Sequence, residues 1–498
     1  MLPRLNTAPS SRAIRPGWPP YEEGRATPLF LGRQRYRKLA VLLDTDVIPE
    51  ADLSIWGKAQ LLAGLLTLDL IECFKYADDG PPPDVARQRN RYMGEVVPGW
   101  VVLSPDDGTG HRAARTGDDH HISDHAVHGN AAEVAASDTS TEAYGDRSPG
   151  DAATQRRADA LAAMVADAIG ADLFVTKRPY LRAMTWQIAN SVTIVDVDEA
   201  LAVLGLYLRA QGQYVTYRSP EGLDSALMNR GLFFWVGARE LLPSAWRWFT
   251  ACAQHSAGAR DDGLLLLGQS VLQRAQRALQ MRDAVHVGLN KPQDNDTADE
   301  ALSALDVVLL LLLGAVDATA RVAHAVLGLT SPAHRAGWQR NGWVSEVAAA
   351  EPTLAALFRP GTDEGHTLTI LRLLRNSIHG EAMQAVGVGR PRRRERTLVS
   401  LPASREPELR AALVALGGLA RWGVEELVPG RLHFDPGVFL ERLFPHVIEM
   451  LNRIMHETPV EHLSHVALQP EASLPPAGPD AGPFSEINRH SIRWQFGL

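Results

Sequence analysis

The sequence predicts an α/β N-terminal region built on a small parallel sheet, followed by a mainly α-helical C-terminal region. Three observations carry this reading. The stretch KLAVLLDTDVI (residues 38–48) is an unbroken apolar run closed by acids, the pattern of a strand buried on both faces. The stretch RRADALAAMVADAIGADLFVTKRPYL (156–181) reads as a helix, a stop at Gly170 and a short strand. From about residue 185 onward nearly every segment carries apolar residues at helical spacing.

In chain order, residues 1–35 are rich in Pro, Arg and Ser and predict a flexible arm. An α/β domain spans 36–184. Its first strand ends in Asp44 and Asp46, SIWGKAQLLAGLLTLDLIECF follows as a helix, and GWVVLSP as a short β segment. Within it, residues 106–155 hold few large apolar side chains and predict a disordered insert. The histidines of DDHHISDHAVH fall in that insert, where no scaffold would fix a metal's geometry. A helical linker domain is expected over 185–298, a helical domain over 299–468 and a Pro-rich tail over 469–498. RTLVSLP (396–402) is the one extended piece expected in the helical part.

At 498 residues the chain is long enough for two or three domains. Its net charge of −8 and pI of 6.1 give no global attraction to a polyanion, so a nucleic-acid contact would need a local basic patch. Two cysteines, Cys73 and Cys252, supply neither zinc-site spacing nor a disulfide framework, which favours a reducing compartment. The first residues lack the apolar segment of a secretory leader. VVLLLLLGAV (307–316), closely flanked by Asp306 and Asp317, is too short to span a bilayer and reads as a buried helix. A cytoplasmic protein without a membrane segment is expected. No Gly-rich phosphate loop and no Ser or Cys nucleophile arrangement is present.

LTILRLLRNSIHGEAM (368–383) carries the most specific chemistry. On a helix, Arg372, Arg375 and His379 share one face, with Asn376 beside them, while Leu371, Leu374 and Ile378 anchor the opposite side. An imidazole can move a proton between a ribose 2′-hydroxyl and a leaving oxygen near neutral pH. A guanidinium can hold the scissile phosphate. GRPRRRER (389–396) follows closely and places Arg390, Arg392, Arg393, Arg394 and Arg396 in the densest basic run of the chain. It reads equally as a phosphate-contacting segment and as a solvated loop.

RLLRNSIHGE resembles the signature of the HEPN superfamily, all-helical domains that often act as metal-independent ribonucleases. That signature is an Arg, four to six residues, then His. Arg372 and His379 fit at the upper limit, whereas Arg375-Asn376 supplies the Arg-polar pair one residue too close to His379. The resemblance covers roughly residues 299–465, including an earlier apolar helix with Asp317 and Arg321 at i, i+4. It implies catalysis by Arg372 or Arg375, Asn376 and His379 without a cofactor, and a homodimer with a composite cleft.

VLLDTDVI and DALAAMVADAIGADLFVT resemble the opening strand and a later helix–strand unit of PIN-domain nucleases. The resemblance implies Mg²⁺ or Mn²⁺ held by Asp44 and Asp159, with Glu72 as a weaker second acid. The sequence departs from that pattern at Arg178, where the family places an Asp. A cation there would weaken divalent metal binding. TKRPYLR (176–182) instead offers Lys177, Arg178 and Arg182 around Tyr180, a combination suited to single-stranded nucleic acid.

Three functions follow. The first is a metal-independent endoribonuclease acting on RNA, in a stress-response, toxin–antitoxin or phage-defence setting, with or without a partner protein. The second is a non-catalytic helical interaction protein. The third is a metal-dependent PIN-type nuclease.

Overall fold

A computed structural model of the chain describes residues 37–49, 56–77, 88–90, 94–96, 99–105, 111–117, 122–184, 188–189, 191–217, 225–292, 294–378, 380–388, 396–428 and 430–498. The expected arm at 1–35 lies outside these residues, as do His379, Arg390, Arg392, Arg393 and Arg394. Residues Lys38–Leu498 form one compact unit.

The N-terminal region is a seven-stranded sheet. Its strands are β1 (Leu39–Asp44), β2 (Ile71–Tyr76), β3 (Gly99–Leu103), β4 (His111–Gly117), β5 (Ile122–His128), β6 (Leu173–Val175) and β7 (Thr193–Val195). The order is β5-β4-β3-β2-β1-β6-β7. Five neighbouring strands, β3, β2, β1, β6 and β7, run parallel, and β4 and β5 extend the β3 edge as an antiparallel hairpin. β1 reads as a continuous apolar run because helices cover both of its faces. Leu42 faces a core with Phe174 and Ala162, while Val41 and Leu43 face one with Leu61, Leu65 and Leu204. Those covering helices are α1 (Lys58–Leu66), α2 (Asn130–Ser137), α3 (Pro149–Ala168), the short α4 (Pro179–Ala183) and α5 (Val197–Ala210). Between β1 and β6 the strand order reverses, and this is the place where open α/β sheets bind ligands, beyond the carboxyl ends of the strands.

The stretch 106–155 differs from expectation. Its described residues are β4, β5, α2 and the first turns of α3, not a disordered insert. Small side chains make this possible: Ala114, Val127, Ala132 and Ala135 are buried, and α2 packs closely on α3. Helix α3 starts with Ser148, whose hydroxyl accepts the Asp151 amide at 3.2 Å, and with Pro149 in the first turn. Gly170 closes it in the left-handed conformation, φ +72°, a conformation that glycine adopts without steric cost.

The remainder is mainly helical: α6 (Arg230–Leu241), α7 (Ala245–Ala259), α8 (Gly263–Leu289), α9 (Asn295–Val326), α10 (Asn341–Ala350), α11 (Pro352–Ala356), α12 (Asp363–Ser377), α13 (Glu406–Ala415), α14 (Pro436–Glu457) and α15 (Glu486–Gln495). Helix α9 begins in a reciprocal Asp294–Thr297 capping box. By length and composition α9 could cross a membrane, and about half of its most apolar window is buried, with Leu305, Val308, Leu309, Leu312 and Val316 packed against its neighbours. RTLVSLP is not an isolated extended piece. It contributes β11 (Arg396–Ser400) to an antiparallel sheet with β10 (Ala385–Val388), β12 (Val424–Val428) and β13 (Arg431–Phe434), in the order β10-β11-β13-β12. A short antiparallel hairpin of β8 (Val215–Tyr217) and β9 (Ser225–Leu227) precedes α6.

The residues expected as a tail are ordered too. Ile492 and Phe496 are buried, and α15 packs on α5, α6 and β8. Arg209 of α5 ties this seam together: it reaches Asp283 of α8 at 2.6 and 2.9 Å and the Gln495 carbonyl at 2.9 Å.

Candidate functional site

Two polar sites stand out, one in each region. The first lies at the switch point of the sheet. Asp44 ends β1, Thr176 follows β6, and Asp159 projects from the middle of α3 rather than from its first turn. The two carboxylates come together, and both are buried. Arg178 lies between them. Its Nε and Nη2 donate to Asp44 Oδ2 and Oδ1 at 2.7 and 3.0 Å, and its Nη1 donates to Asp159 Oδ1 at 3.2 Å. Thr176 Oγ1 donates to Asp44 Oδ2 at 2.7 Å and accepts the Arg178 amide at 3.1 Å. The Tyr144 hydroxyl donates to Asp159 Oδ2 at 2.7 Å, from a residue held at φ 64°. Each of the four carboxylate oxygens therefore accepts a hydrogen bond from this chain. Burial and the Asp159 contact push the Tyr144 phenol up from its ordinary value, so it stays a donor.

This arrangement does not fit a divalent ion at Asp44 and Asp159. Mg²⁺ and Mn²⁺ need oxygen lone pairs at about 2.1 Å, and those lone pairs face a guanidinium. Glu72 is also out of reach: it pairs in register with Ala40, whereas Asp44 pairs with Tyr76, four residues and about 13 Å along the strand. Among the described residues no group of three or more His, Cys, Asp or Glu side chains is placed to hold a metal.

The single-strand reading of TKRPYLR is corrected by the same geometry. Tyr180 is buried, with its hydroxyl 3.0 Å from Asp138, so its ring presents no stacking face. Arg178 is held inside, and Arg182 pairs with Glu199 and Asp196. Of the named cations Lys177 and Arg182 are exposed, and Arg182 is engaged in its ion pairs.

The second site lies where α12 meets α9. Thr362 caps α12 by accepting the Gly365 amide at 3.2 Å, and Leu371 and Leu374 are fully buried, as the apolar stripe predicts. The two arginines of the motif diverge. Arg372 turns to α13 and pairs with Glu408 at 2.5 Å. Arg375 contacts Asn376 Oδ1 at 3.4 Å and faces Asp317 of α9. Burial pushes the Asp317 carboxyl up from its ordinary value, and the nearby guanidiniums of Arg375, Arg321, Arg274 and Arg340 pull against that rise. Arg274 comes from α8 and lies over Gly314, where an added Cβ would stand 2.9 Å from its Nε. Four guanidiniums thus act electrostatically on one carboxylate, and among the described residues none of the four closes an ion pair with Asp or Glu. Arg274 and Arg340 escape sequence reasoning, since they sit far from the motif and follow no period shared with it.

His379 follows two residues after α12 ends and is outside the described residues. Glu381, the acid of the quoted motif, accepts from Ser404 Oγ at 2.7 Å and from the Ala403 and Ser404 amides, which makes it a cap for the next turn. The basic run joins β10 to β11, where Val388 pairs with Arg396. Arg396 itself is paired with Glu425, so it is not available to a phosphate in this arrangement.

A surface groove of about 300 Å³, lined by Lys58, Glu199, Leu201, Trp494 and Leu498, includes no residue of either site. No protein-family model matches this chain, and no curated protein or solved structure matches it.

Proposed function

We propose that this protein binds RNA and cleaves it without a metal ion, at the junction of α9 and α12. The reading rests on the cluster around Asp317: four guanidiniums from three helices and a loop, with one carboxylate among them, leave a local excess of positive charge on an acidic chain. Phosphate groups are the ligands such a cluster suits best. Arg375 holds the scissile phosphate, and Asn376 orients it. His379 takes the proton from the ribose 2′-hydroxyl as that oxygen bonds to phosphorus, and returns it to the 5′-oxygen as the old P–O bond breaks. Arg372, tied to Glu408, is a scaffold residue in this scheme. The helical region is HEPN-like and the N-terminal region PIN-like in this reading, with the latter a scaffold that performs no metal chemistry. A cytoplasmic homodimer that brings two such sites together belongs to the same proposal.

The test is a cleavage assay on mixed structured and unstructured RNA, with and without EDTA, comparing wild type with His379→Ala. EDTA-resistant cleavage lost in the variant is expected. EDTA-sensitive cleavage that survives the substitution would move the chemistry to Asp44 and Asp159. RNA binding without cleavage would leave an interaction protein.

A further inference from the structure

We infer that the carboxylate cradle at the switch point of the sheet is a cation site whose cation is part of the chain: the Arg178 guanidinium stands where a divalent ion would have to sit. The argument uses three features. First, Asp44 and Asp159 are brought together from 115 residues apart at the carboxyl ends of β1 and β6, the position at which an open α/β sheet ordinarily presents a ligand site. Second, two buried carboxylates cannot stay charged side by side without a counter-cation, because neither is solvated and each raises the energy of the other. Third, Arg178 supplies that cation with a fit that a diffusible ion would have to displace. It makes three hydrogen bonds of 2.7–3.2 Å to the two acids, its side chain is 10% exposed, and its guanidinium lies 5.7 Å from the centre of the Tyr76 ring.

Thr176 and Tyr144 add to the enclosure by donating to Asp44 Oδ2 and Asp159 Oδ2. Arg178 reaches the cradle because it stands three residues past the end of β6, at the start of α4. The same short connection would otherwise leave an acid-lined opening. The site is therefore metal-blind as built and becomes a divalent-ion site when the guanidinium is removed. This inference does not depend on RNA cleavage at His379.

The test uses Mn²⁺ alone as the probe, on the full chain, with free Mn²⁺ read by its paramagnetic resonance signal. Wild type is expected to leave the signal unchanged. Arg178→Ser is expected to take up one Mn²⁺ per chain and to gain thermal stability from it, and Arg178→Ser combined with Asp44→Asn is expected to lose both effects. If Arg178→Ser does not fold in EDTA, its recovery on adding Mn²⁺ is the expected result, and failure to fold with Mn²⁺ counts against the inference. Arg178→Lys, which keeps a cation, should fold and remain Mn²⁺-blind. The inference is overturned if wild type binds Mn²⁺ in a manner that Asp44→Asn abolishes, if folded Arg178→Ser binds none, or if Arg178→Lys binds Mn²⁺ through Asp44.

Discussion

Arg178 and Asp44, 134 residues apart, meet through two parallel hydrogen bonds, Nε to Oδ2 at 2.7 Å and Nη2 to Oδ1 at 3.0 Å. The side chains are 10% and 5% exposed, so water screens the pair little. A buried bidentate pair of this kind contributes less by its own attraction than its loss costs, since removing one partner strands the other charge.

Arg178→Ala is accordingly expected to destabilise the protein by about 3–5 kcal/mol, because it strands Asp44 and Asp159 together. Adding Asp44→Asn to it should recover part of the loss, since one stranded charge is then gone. Denaturant unfolding of the two single variants and the double variant gives the coupling between the sites. Fully additive losses would contradict a direct interaction.

How much of this was legible in the sequence depends on what each element is made of. The first strand, KLAVLLD, announces itself because both of its faces are buried and no polar residue interrupts it. Gly170 marks the end of α3 because the chain needs a left-handed residue there. Residues 106–155 were illegible for the opposite reason: α2 is packed through Ala132 and Ala135, whose small side chains look like weak hydrophobes in a sequence but permit close helix contact. Arg178 was legible as a cation in an acid's place. That it bridges Asp44 and Asp159 required the fold. The Asp317 cluster was only half legible. Asp317 and Arg321 show their i, i+4 spacing, whereas Arg274 and Arg340 arrive from other elements with no periodicity to connect them. The shared face of Arg372 and Arg375 was real in the helix but not in the neighbours, because long side chains three residues apart can turn to different partners.

That divergence makes a prediction for RNA binding. Arg375→Ala and Arg321→Ala should each weaken binding of single-stranded RNA and lower the slope of log affinity against log salt by about 0.7, the share of one phosphate contact. Arg372→Ala should leave the slope unchanged, since its guanidinium is held by Glu408. Fluorescence anisotropy titrations across a salt series distinguish the two arginines. An Arg372 effect equal to that of Arg375 would return both to the phosphate-binding face.

A third prediction concerns acid stability. Glu441 of α14 accepts from Arg282 Nε and Nη2 at 2.7 and 2.5 Å and contacts His286 Nε2 at 2.7 Å. Burial alone would raise its carboxyl, but the His286 and Arg282 interactions outweigh burial and hold it at about 2 instead of 4.5. A carboxyl held low in the folded state contributes stability that is complete above its unfolded value and is lost as protons bind. Wild type should therefore lose stability as pH falls from about 4.5 towards about 2. Glu441→Gln should be less stable at neutral pH and flatter through that window, as read by chemical unfolding at a series of pH values. Parallel curves for the two proteins would remove Glu441 as the cause.

Asp306 on α9 runs the other way. Its Oδ1 is buried with no hydrogen-bond partner, and burial pushes its carboxyl up from 3.8. A carboxyl raised in the folded state costs nothing below its unfolded value, where both states are protonated. The cost appears as pH rises through the raised value and remains at neutral pH. Asp306→Ala removes that cost and places the best helix former in the helix interior, a propensity gain of about 0.7 kcal/mol. The variant should be more stable than wild type at neutral pH by at least that amount, and the part due to charge should vanish at pH values below 3.8. Thermal unfolding at the two pH extremes checks the sign. A loss of stability at neutral pH would mean that the carboxylate has a partner that stabilises its charged form.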